Sequence, residues 1–131
     1  MLQYSSDKIK IQDLNLDGFF VGWKTQPSVE TFQRILKESY EIVLAYEDTK
    51  LIGFINCISD GVLSAYIPLL EVLPEYQGAG IGKSLLQKMI KKLSHFYMVD
   101  LLCDENLIPF YEKLGMNKSH GVSIRNYARL S

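Results

Sequence analysis

The feature that most constrains this chain is a glycine-rich turn between an apolar segment and a helix-like segment, residues 72–84 (VLPEYQGAGIGKS). Glycines stand at positions 78, 80 and 82, and Pro74 ends the preceding strand. Glycines let the backbone curl and let a ligand approach main-chain N–H groups closely. The first turn of the following helix adds unpaired N–H donors and the positive end of the helix dipole. The segment therefore predicts a binding site for phosphate or pyrophosphate at a strand-to-helix junction.

Two common phosphate-binding patterns fail here by one residue each. The dinucleotide pattern GxGxxG needs a glycine where Lys83 stands, and the P-loop pattern GxxxxGK[ST] needs one where Gln77 stands. The spacing therefore argues against both a dinucleotide-binding protein and a P-loop nucleotide-binding protein.

The overall composition limits the class of protein. A chain of 131 residues, 47% of them hydrophobic, suits one domain over residues 1–131 with a core that needs no metal or disulfide. Lys and Arg number 14 against 15 Asp and Glu, for a net charge of −1, which argues against binding to nucleic acid or to an anionic membrane. The sequence has no apolar run of roughly 18 residues and no signal-peptide pattern. We therefore expect a cytoplasmic protein.

The cysteines and histidines do not indicate a metal site. Cys57 and Cys103 lack CxxC spacing, and each stands in an apolar, strand-like stretch, so we expect two buried free thiols. His95 and His120 have no neighbouring residues at ligand spacing.

Hydrophobic periodicity predicts an alternation of strands and helices. Helices are expected from the N-cap Ser28 to about residue 40, over 80–94, and from 105 or 106 to 114, with strands over 41–46, 51–58, 64–73, 98–103 and 122–130. Residues 8–27 suggest a short helix or an ordered loop. Pro68 lacks an N–H group, so the third of these strands should be bulged or lie at an edge there, and Gly115 should cap the last helix. The order indicates an α+β protein with a mixed, mainly antiparallel central sheet flanked by helices.

Two segments resemble one enzyme family. The sequence QGAGIGK after a strand ending in VLPEY resembles motif A, the acetyl-CoA pyrophosphate loop Q/R-x-x-G-x-G/A of the GCN5-related N-acetyltransferase (GNAT) superfamily. Residues 110–116 (FYEKLGM) are similar to the family's F-Y-x-K-L-G-F near its C-terminal end. The motifs stand in the family's order, and the resemblance covers about residues 41–117. It implies the GNAT acyl-CoA N-acyltransferase fold and an enzyme that moves an acetyl group from acetyl-CoA to a primary amine by direct transfer in a ternary complex.

The resemblance also implies how the cofactor is held. It assigns the pyrophosphate to the glycine loop, whose residues are Gln77, Gly78, Ala79, Gly80, Ile81, Gly82 and Lys83. The backbone N–H groups of Leu70, Glu71 and Val72 match the family strand that pairs with the pantetheine arm, and that of Val72 would polarise the thioester carbonyl. Asp104 stands where many relatives have an Asn that contacts the cofactor. When ionised it can accept a hydrogen bond or bind a cationic amine, but it cannot donate as Asn does. No metal is implied.

Tyr111 falls where the family places its general acid. A phenol with a pKa of about 10 can protonate a thiolate whose conjugate acid has a pKa of about 8.5, a modest uphill step that positioning can offset. Two carboxylates remain candidates for the base. Glu71 lies next to the expected carbonyl site and could draw a proton through a water molecule, and Asp104 is the alternative.

Aromatic residues are the candidates for the acceptor site. Trp23 and Tyr66 could form a wall for an aryl ring or an alkylammonium group, whereas Phe19 and Phe20 are better explained as core residues. The sequences VGW at 21–23 and SDG at 59–61 are similar to a bacterial and plastid-type branch that includes plant serotonin N-acetyltransferases. That similarity implies a small arylalkylamine-like or polyamine-like acceptor.

Other functions stay open on the sequence. The acceptor could be a protein amino group, or the chain could be a non-catalytic module that binds acyl-CoA and regulates another protein. The presence of Tyr111 argues against the non-catalytic module, whereas the lack of an Asn at position 104 argues for it. Analogy with the family also implies a homodimer formed through the final strand.

Overall fold

The computed structural model describes residues 1–130 and places a five-stranded sheet between helices. The strands are β1 (Gln3–Ser5), β2 (Glu41–Glu47), β3 (Lys50–Ser59), β4 (Ser64–Val72) and β5 (Met98–Asp100). The helices are α1 (Val29–Glu38), α2 (Ile81–Lys92) and α3 (Ile108–Glu112). Short 3₁₀ segments occupy Lys8–Asp13, Pro74–Tyr76, Glu105–Leu107 and Tyr127–Arg129. This arrangement confirms the expected α+β class.

The sheet is antiparallel except at one end. Its spatial order follows the chain from β1 to β5, and only the β4–β5 pair is parallel. That pair is short, because Ser64–Tyr66 faces Met98–Asp100 and no register continues beyond it. The two strands therefore separate after Tyr66 and Asp100, and a gap opens between them.

A bulge in β4 lies where the gap begins. Asn56 of β3 faces Leu69 and Ile58 faces Tyr66, so two residues of β4, Ile67 and Pro68, stand opposite Cys57 alone. Pro68 cannot donate to the ladder, and an extra residue bends a strand locally. The bulge expected at Pro68 is confirmed.

Each face of the sheet is covered by its own apolar cluster. Because successive side chains of a strand point to opposite faces, Phe54 packs with Phe32 and Leu36 of α1, whereas Ile55 packs with Leu85 of α2. Helix α1 begins as expected, since the Ser28 hydroxyl accepts the Thr31 N–H at 3.1 Å. Both clusters contain residues of β3 and β4, so β4, the strand that borders the gap, is packed on both faces.

The last third of the chain differs from its predicted structure. The strand expected over 122–130 is wrong, because that segment is an extended tail with one 3₁₀ turn, and Val122 is 98% exposed. The strand expected over 98–103 ends at Asp100, which leaves the tail without a partner strand of matching length. The segment after Asp100 no longer pairs with β4, and Cys103 is exposed there. The expected burial is therefore confirmed for Cys57 and wrong for Cys103.

The final helix is shorter than expected and begins later. A 3₁₀ turn precedes α3, which carries Pro109 in its first turn, where the missing N–H costs nothing. The predicted cap is confirmed, since Gly115 has a φ of +97° and Met116 donates its N–H to the Tyr111 carbonyl at 3.2 Å.

None of the helices within residues 1–130 is both long enough and apolar enough to cross a membrane.

Candidate active site

A cleft of about 690 Å³ fills the gap between β4 and the segment after β5. One wall is β4 from Ile67 to Glu71, and the other is the segment from Leu101 to Asp104 together with Tyr111. Val21 and Trp23 border the cleft from the N-terminal loop, and Gln77 borders it from the glycine loop. The structure thus brings together residues that lie far apart in the sequence.

Two backbone N–H groups of β4 point into this gap. Leu73 donates its N–H to the Ile52 carbonyl of β3 at 2.9 Å, so the N–H groups of Leu73, Glu71 and Leu69 point toward β3. Neighbouring N–H groups in a strand alternate in direction, and those of Leu70 and Val72 therefore point away from β3. Because β4 has no partner on that side beyond Tyr66, both donors are unpaired; Leu70 lines the cleft, and Val72 directly follows Glu71, the last residue of β4 in the lining.

The glycine loop leads from β4 into the N-terminus of α2. Gly78 and Gly80 have φ values of +85° and +82°, a left-handed conformation that side chains disfavour. Gly80 is the N-cap of α2 and offers no side chain to its first turn, which also contains no acidic residue. The first N–H groups of α2 therefore keep their donors free for an anion.

The predicted loop residues contribute in different ways. Gln77 donates from Nε2 to the Val72 carbonyl at 3.0 Å, which ties the start of the loop to the end of β4. The side chain of Ile81 is 5% exposed and belongs to the core, so only its backbone faces the loop. Lys83 is exposed in the first turn of α2 and places a positive charge there.

Tyr111 lies in α3 across the cleft from β4. Burial raises the pKa of the Tyr111 hydroxyl to about 12, and the nearby Cys103 thiol adds to this rise because its charged form would repel a phenolate. Although Cys103 is exposed as a residue, partial desolvation of its thiol raises the Cys103 pKa, and the neighbouring Asp104 carboxylate raises it further. Both groups therefore hold their protons at neutral pH and face the cleft as neutral donors.

Glu71 is bound to the N-terminal loop. Its carboxylate accepts the Phe20 N–H at 2.9 Å and the Val21 N–H at 3.2 Å. Phe20 has a φ of +62°, which is uncommon for a residue with a side chain. The carboxylate thus holds the loop in a strained conformation on the wall of the cleft.

The aromatic candidates separate into core and cleft residues. Phe19 and Phe20 are 4% and 3% exposed and pack edge-to-face against Phe32, which confirms their expected place in the core. Trp23 is 45% exposed and borders the cleft. Tyr66 is half-buried opposite Asp100 and Ile58, outside the cleft lining, so the structure does not place it with the other candidate residues.

Asp104 is exposed and lines the cleft beside Cys103. Other lining residues were not expected from the sequence: Leu101, Leu102, Leu107, Gly121, Val122, Ser123 and Arg125. Their position depends on the early end of β5 and on the path of the tail, for which the sequence gives no local signal. Within residues 1–130, His, Cys, Asp and Glu side chains form no group of three or more that could hold a metal.

Comparison with known proteins identifies the family. The model of the acetyltransferase (GNAT) family matches residues 9–116. The chain belongs to the GNAT family. GNAT relatives include the uncharacterized N-acetyltransferase ycf52 of Porphyra purpurea, 28% identical over 90% of this chain and 78% of the relative. The GCN5-related N-acetyltransferase 2, chloroplastic, of Arabidopsis thaliana is 29% identical over 85% of this chain and 51% of its own length.

A solved structure shows the same fold. The crystal structure of a candidate acetyltransferase from Deinococcus radiodurans R1 matches with a TM-score of 0.87 and 38% identity, over 97% of this chain and 90% of the other. The family assignment from the two sequence motifs is confirmed, and the chain is a GNAT N-acetyltransferase.

Proposed function

We propose that this GNAT enzyme transfers an acetyl group from acetyl-CoA to the primary amine of a small molecule by direct attack in a ternary complex. One observation carries the proposal: the unpaired Leu70 N–H lies in a cleft that Gln77 borders at the start of the glycine loop and Tyr111 borders on the opposite wall, and the Val72 N–H points to the same side of β4 just beyond the lining. These are the donors that a thioester with a pyrophosphate tail needs.

We propose the following orientation for acetyl-CoA. The pyrophosphate would accept hydrogen bonds from the glycine loop and the first turn of α2, with Lys83 adding charge at its edge. The pantetheine arm would extend along β4 and take the place of a partner strand beside Leu70. The thioester carbonyl would then accept the Val72 N–H, and Asp104 would border the arm on the far side.

The reaction proposed for this site is a single transfer. The neutral amine attacks the thioester carbon, and the Val72 N–H stabilises the oxygen as it gains negative charge. The carbon–sulfur bond breaks, the amine loses its extra proton to a base, and the departing thiolate gains a proton. The products are an N-acetyl amine and CoA.

Tyr111 is the group we propose as the proton donor to the thiolate. Its pKa of about 12 exceeds the reference thiol value by about 3.5 units, an uphill step of roughly 5 kcal/mol. The free-energy cost of this proton transfer is larger than it would be for a phenol with the ordinary pKa of about 10. Tyr111 therefore acts first as a hydrogen-bond donor to the developing negative charge on sulfur, and proton transfer completes as the charge builds.

Glu71 is the group we propose as the base. It lies on β4 beside the carbonyl site, and each oxygen keeps a lone pair beyond its bond to the loop. A water molecule on such an oxygen could carry the proton from the amine. Asp104 is the alternative base, and it also suits an incoming alkylammonium group.

The acceptor we propose has an aromatic or alkyl body. Trp23 and Val21 give the cleft an apolar side, and Asp104 gives it a negative charge, so an amine with an aryl or alkyl substituent would match both. The resemblance to the branch that includes serotonin N-acetyltransferases supports the same acceptor class.

An acetyl-transfer assay tests this proposal. The purified protein is incubated with acetyl-CoA and separate arylalkylamines, polyamines and peptides with free amino groups, and products are identified by mass spectrometry. We expect acetylated arylalkylamine or polyamine and, in Tyr111→Phe, a fall in kcat of about a hundredfold with little change in acetyl-CoA affinity.

The other outcomes of this assay point to different functions. Acetylation of peptides alone would replace the small acceptor with a protein amino group. Binding of acetyl-CoA without transfer to any amine would favour the non-catalytic module. An equal loss of turnover and acetyl-CoA affinity in Tyr111→Phe would contradict the role of Tyr111 as proton donor.

A further inference from the structure

Two polar residues are buried in the interior of residues 1–130. Asn56 is 2% exposed and Ser39 is 3% exposed, and the neighbours of Asn56 in β3 are the fully buried Ile55 and Cys57. Burial of a polar group is unfavourable unless its donors and acceptors are paired. The Asn56 amide, in the middle of the apolar sequence LIGFINCI, must therefore have hydrogen-bond partners that offset the cost of its burial.

The Asn56 amide joins helix α1 to strand β4. Its Oδ1 accepts the Leu69 N–H at 3.1 Å, and its Nδ2 donates to the Ser39 hydroxyl at 3.1 Å. That hydroxyl in turn donates to the Ile35 carbonyl at 2.6 Å. Both ends of the amide are satisfied, so the chain of bonds runs unbroken from the end of α1 to β4.

This series of hydrogen bonds ends at the β4 bulge. Leu69 directly follows Ile67 and Pro68, the two residues that face Cys57 alone. Its N–H is the first amide after the proline and points toward β3, so the next N–H, that of Leu70, points into the cleft. A change in the orientation of Leu69 would rotate Leu70 with it.

We infer that Asn56 is a positioning residue for the cofactor cleft. By holding the Leu69 N–H, it keeps the β4 bulge in the shape that directs the Leu70 and Val72 N–H groups at the ligand. The inference rests on the proposed function, because acetyl-CoA is the ligand that these donors would meet. Asn56 lies in β3, on the side of β4 away from the cleft, and acts through the Leu69 N–H.

A pair of variants separates this role from a general contribution to stability. Asn56→Leu is similar in size and removes the bond to Leu69. Ser39→Ala removes the other bond of the same Asn56 amide and leaves the Leu69 bond in place, so it is the matched control. Calorimetry with acetyl-CoA, at a temperature where circular dichroism shows each variant folded, measures the affinity.

We expect Asn56→Leu to raise the Kd for acetyl-CoA about tenfold and Ser39→Ala to change it less than about twofold. Asn56→Asp keeps an oxygen facing the Leu69 N–H and should restore the Kd to within about threefold of wild type. Equal effects of Asn56→Leu and Ser39→Ala, or no effect of Asn56→Leu, would overturn the inference. If Asn56→Leu does not fold, Asn56→Ala takes its place, since it removes the same bond without adding bulk.

Backbone amide exchange, followed by NMR, is independent of the cofactor. We expect the Leu69 N–H to exchange faster in Asn56→Leu than in wild type and in Ser39→Ala. Equal exchange in all three would overturn the inference even if acetyl-CoA binds. If the wild type binds no acetyl-CoA, the proposed function fails, and the exchange rates still decide whether Asn56 holds the bulge.

Discussion

At the scale of single residues, Glu71 links strand β4 to the N-terminal loop through two hydrogen bonds. It lies on β4 next to the Leu70 and Val72 donors, and it holds Phe20 and Val21 through their N–H groups. The loop it holds continues to Trp23 on the rim of the cleft. Loss of this carboxylate should therefore affect acceptor binding before it affects cofactor binding.

Substitution of Glu71 tests that link. Glu71→Ala removes both acceptors, so we expect a loss of about 1–3 kcal/mol in the free energy of unfolding and a higher KM for the acceptor, with the acetyl-CoA Kd unchanged. Because Glu71 is the proposed base, kcat should also fall. Glu71→Gln keeps one acceptor oxygen and should lie between wild type and Glu71→Ala in stability and in acceptor KM. Its amide cannot take a proton from the amine, so its kcat should fall as far as that of Glu71→Ala. Trp23 is the only tryptophan, so its fluorescence reports the loop directly. Unchanged emission in Glu71→Ala would show that the carboxylate does not hold this loop.

The pKa of Tyr111 leads to a prediction about pH. Because burial raises that pKa to about 12, the hydroxyl stays almost fully protonated up to a pH of about 10. The acceptor amine, in contrast, must lose a proton before it attacks. We expect kcat/KM to rise with pH as the acceptor amine loses its proton and to show no fall up to a pH of about 10, the reference value for an unperturbed phenol.

The matched variant for this profile is Tyr111→Phe. Its rate should be lower at each pH, with a profile of the same shape. A fall in wild-type activity between pH 8 and 10 that is absent from Tyr111→Phe would mean that Tyr111 loses its proton in this range, and the raised pKa of its hydroxyl would then be wrong.

At the scale of elements, the glycine loop offers two positions with opposite requirements. Gly80 has a φ of +82°, whereas Gly82 lies inside α2 with ordinary helical geometry. A Cβ at Gly82 would meet the Val72 and Phe110 side chains at 3.8 and 3.9 Å, which is normal contact. Only the first of these glycines is needed for backbone conformation.

Alanine at each position tests this difference. We expect Gly80→Ala to lose about 1–2 kcal/mol through left-handed strain and to weaken acetyl-CoA binding. Gly82→Ala should gain up to about 1 kcal/mol from helix propensity and bind acetyl-CoA as wild type does. Thermal unfolding and calorimetry measure both effects. Equal behaviour of the two variants would show that the loop conformation does not depend on Gly80.

The sequence predicts the elements whose signals are local. Ser28 caps α1, the apolar spacing of Leu85, Leu86 and Met89 defines α2, and Pro68 marks the bulge. The structure after residue 100 depends instead on long-range geometry. After Asp100 the chain no longer pairs with β4, so Cys103 is exposed and the apolar tail has no partner strand. The hydrophobic pattern of the tail predicts a strand, but a strand needs a partner. The cleft wall at Leu101 and Leu102 could not be inferred for the same reason.

At the scale of the whole molecule, the tail leaves an apolar surface exposed. Val122, Ile124 and Tyr127 are 98%, 84% and 83% exposed. Exposed apolar residues in such a group commonly mark an interface. A homodimer remains a prediction, and these residues are the contact surface we would assign to it.

Sedimentation velocity tests the dimer. We expect the wild type to sediment as a dimer and the double variant Val122→Asp/Ile124→Asp as a monomer, because two buried charges would oppose association. Val62→Asp adds a charge at an exposed apolar residue outside the tail and serves as the control that should stay dimeric. A wild type that sediments as a monomer at all concentrations would contradict this assignment.

Acetyl-CoA binding in the cleft is the property on which the site, the mechanism and the role of Asn56 all depend. It is tested most directly by thermal unfolding with acetyl-CoA, CoA and ATP in parallel. A ligand at about 100 times its Kd adds roughly 2.7 kcal/mol to the free energy of unfolding. We expect acetyl-CoA and CoA to raise the Tm and ATP to leave it unchanged. No shift with either acetyl-CoA or CoA would contradict the assignment of the cleft and of the glycine loop as the cofactor site.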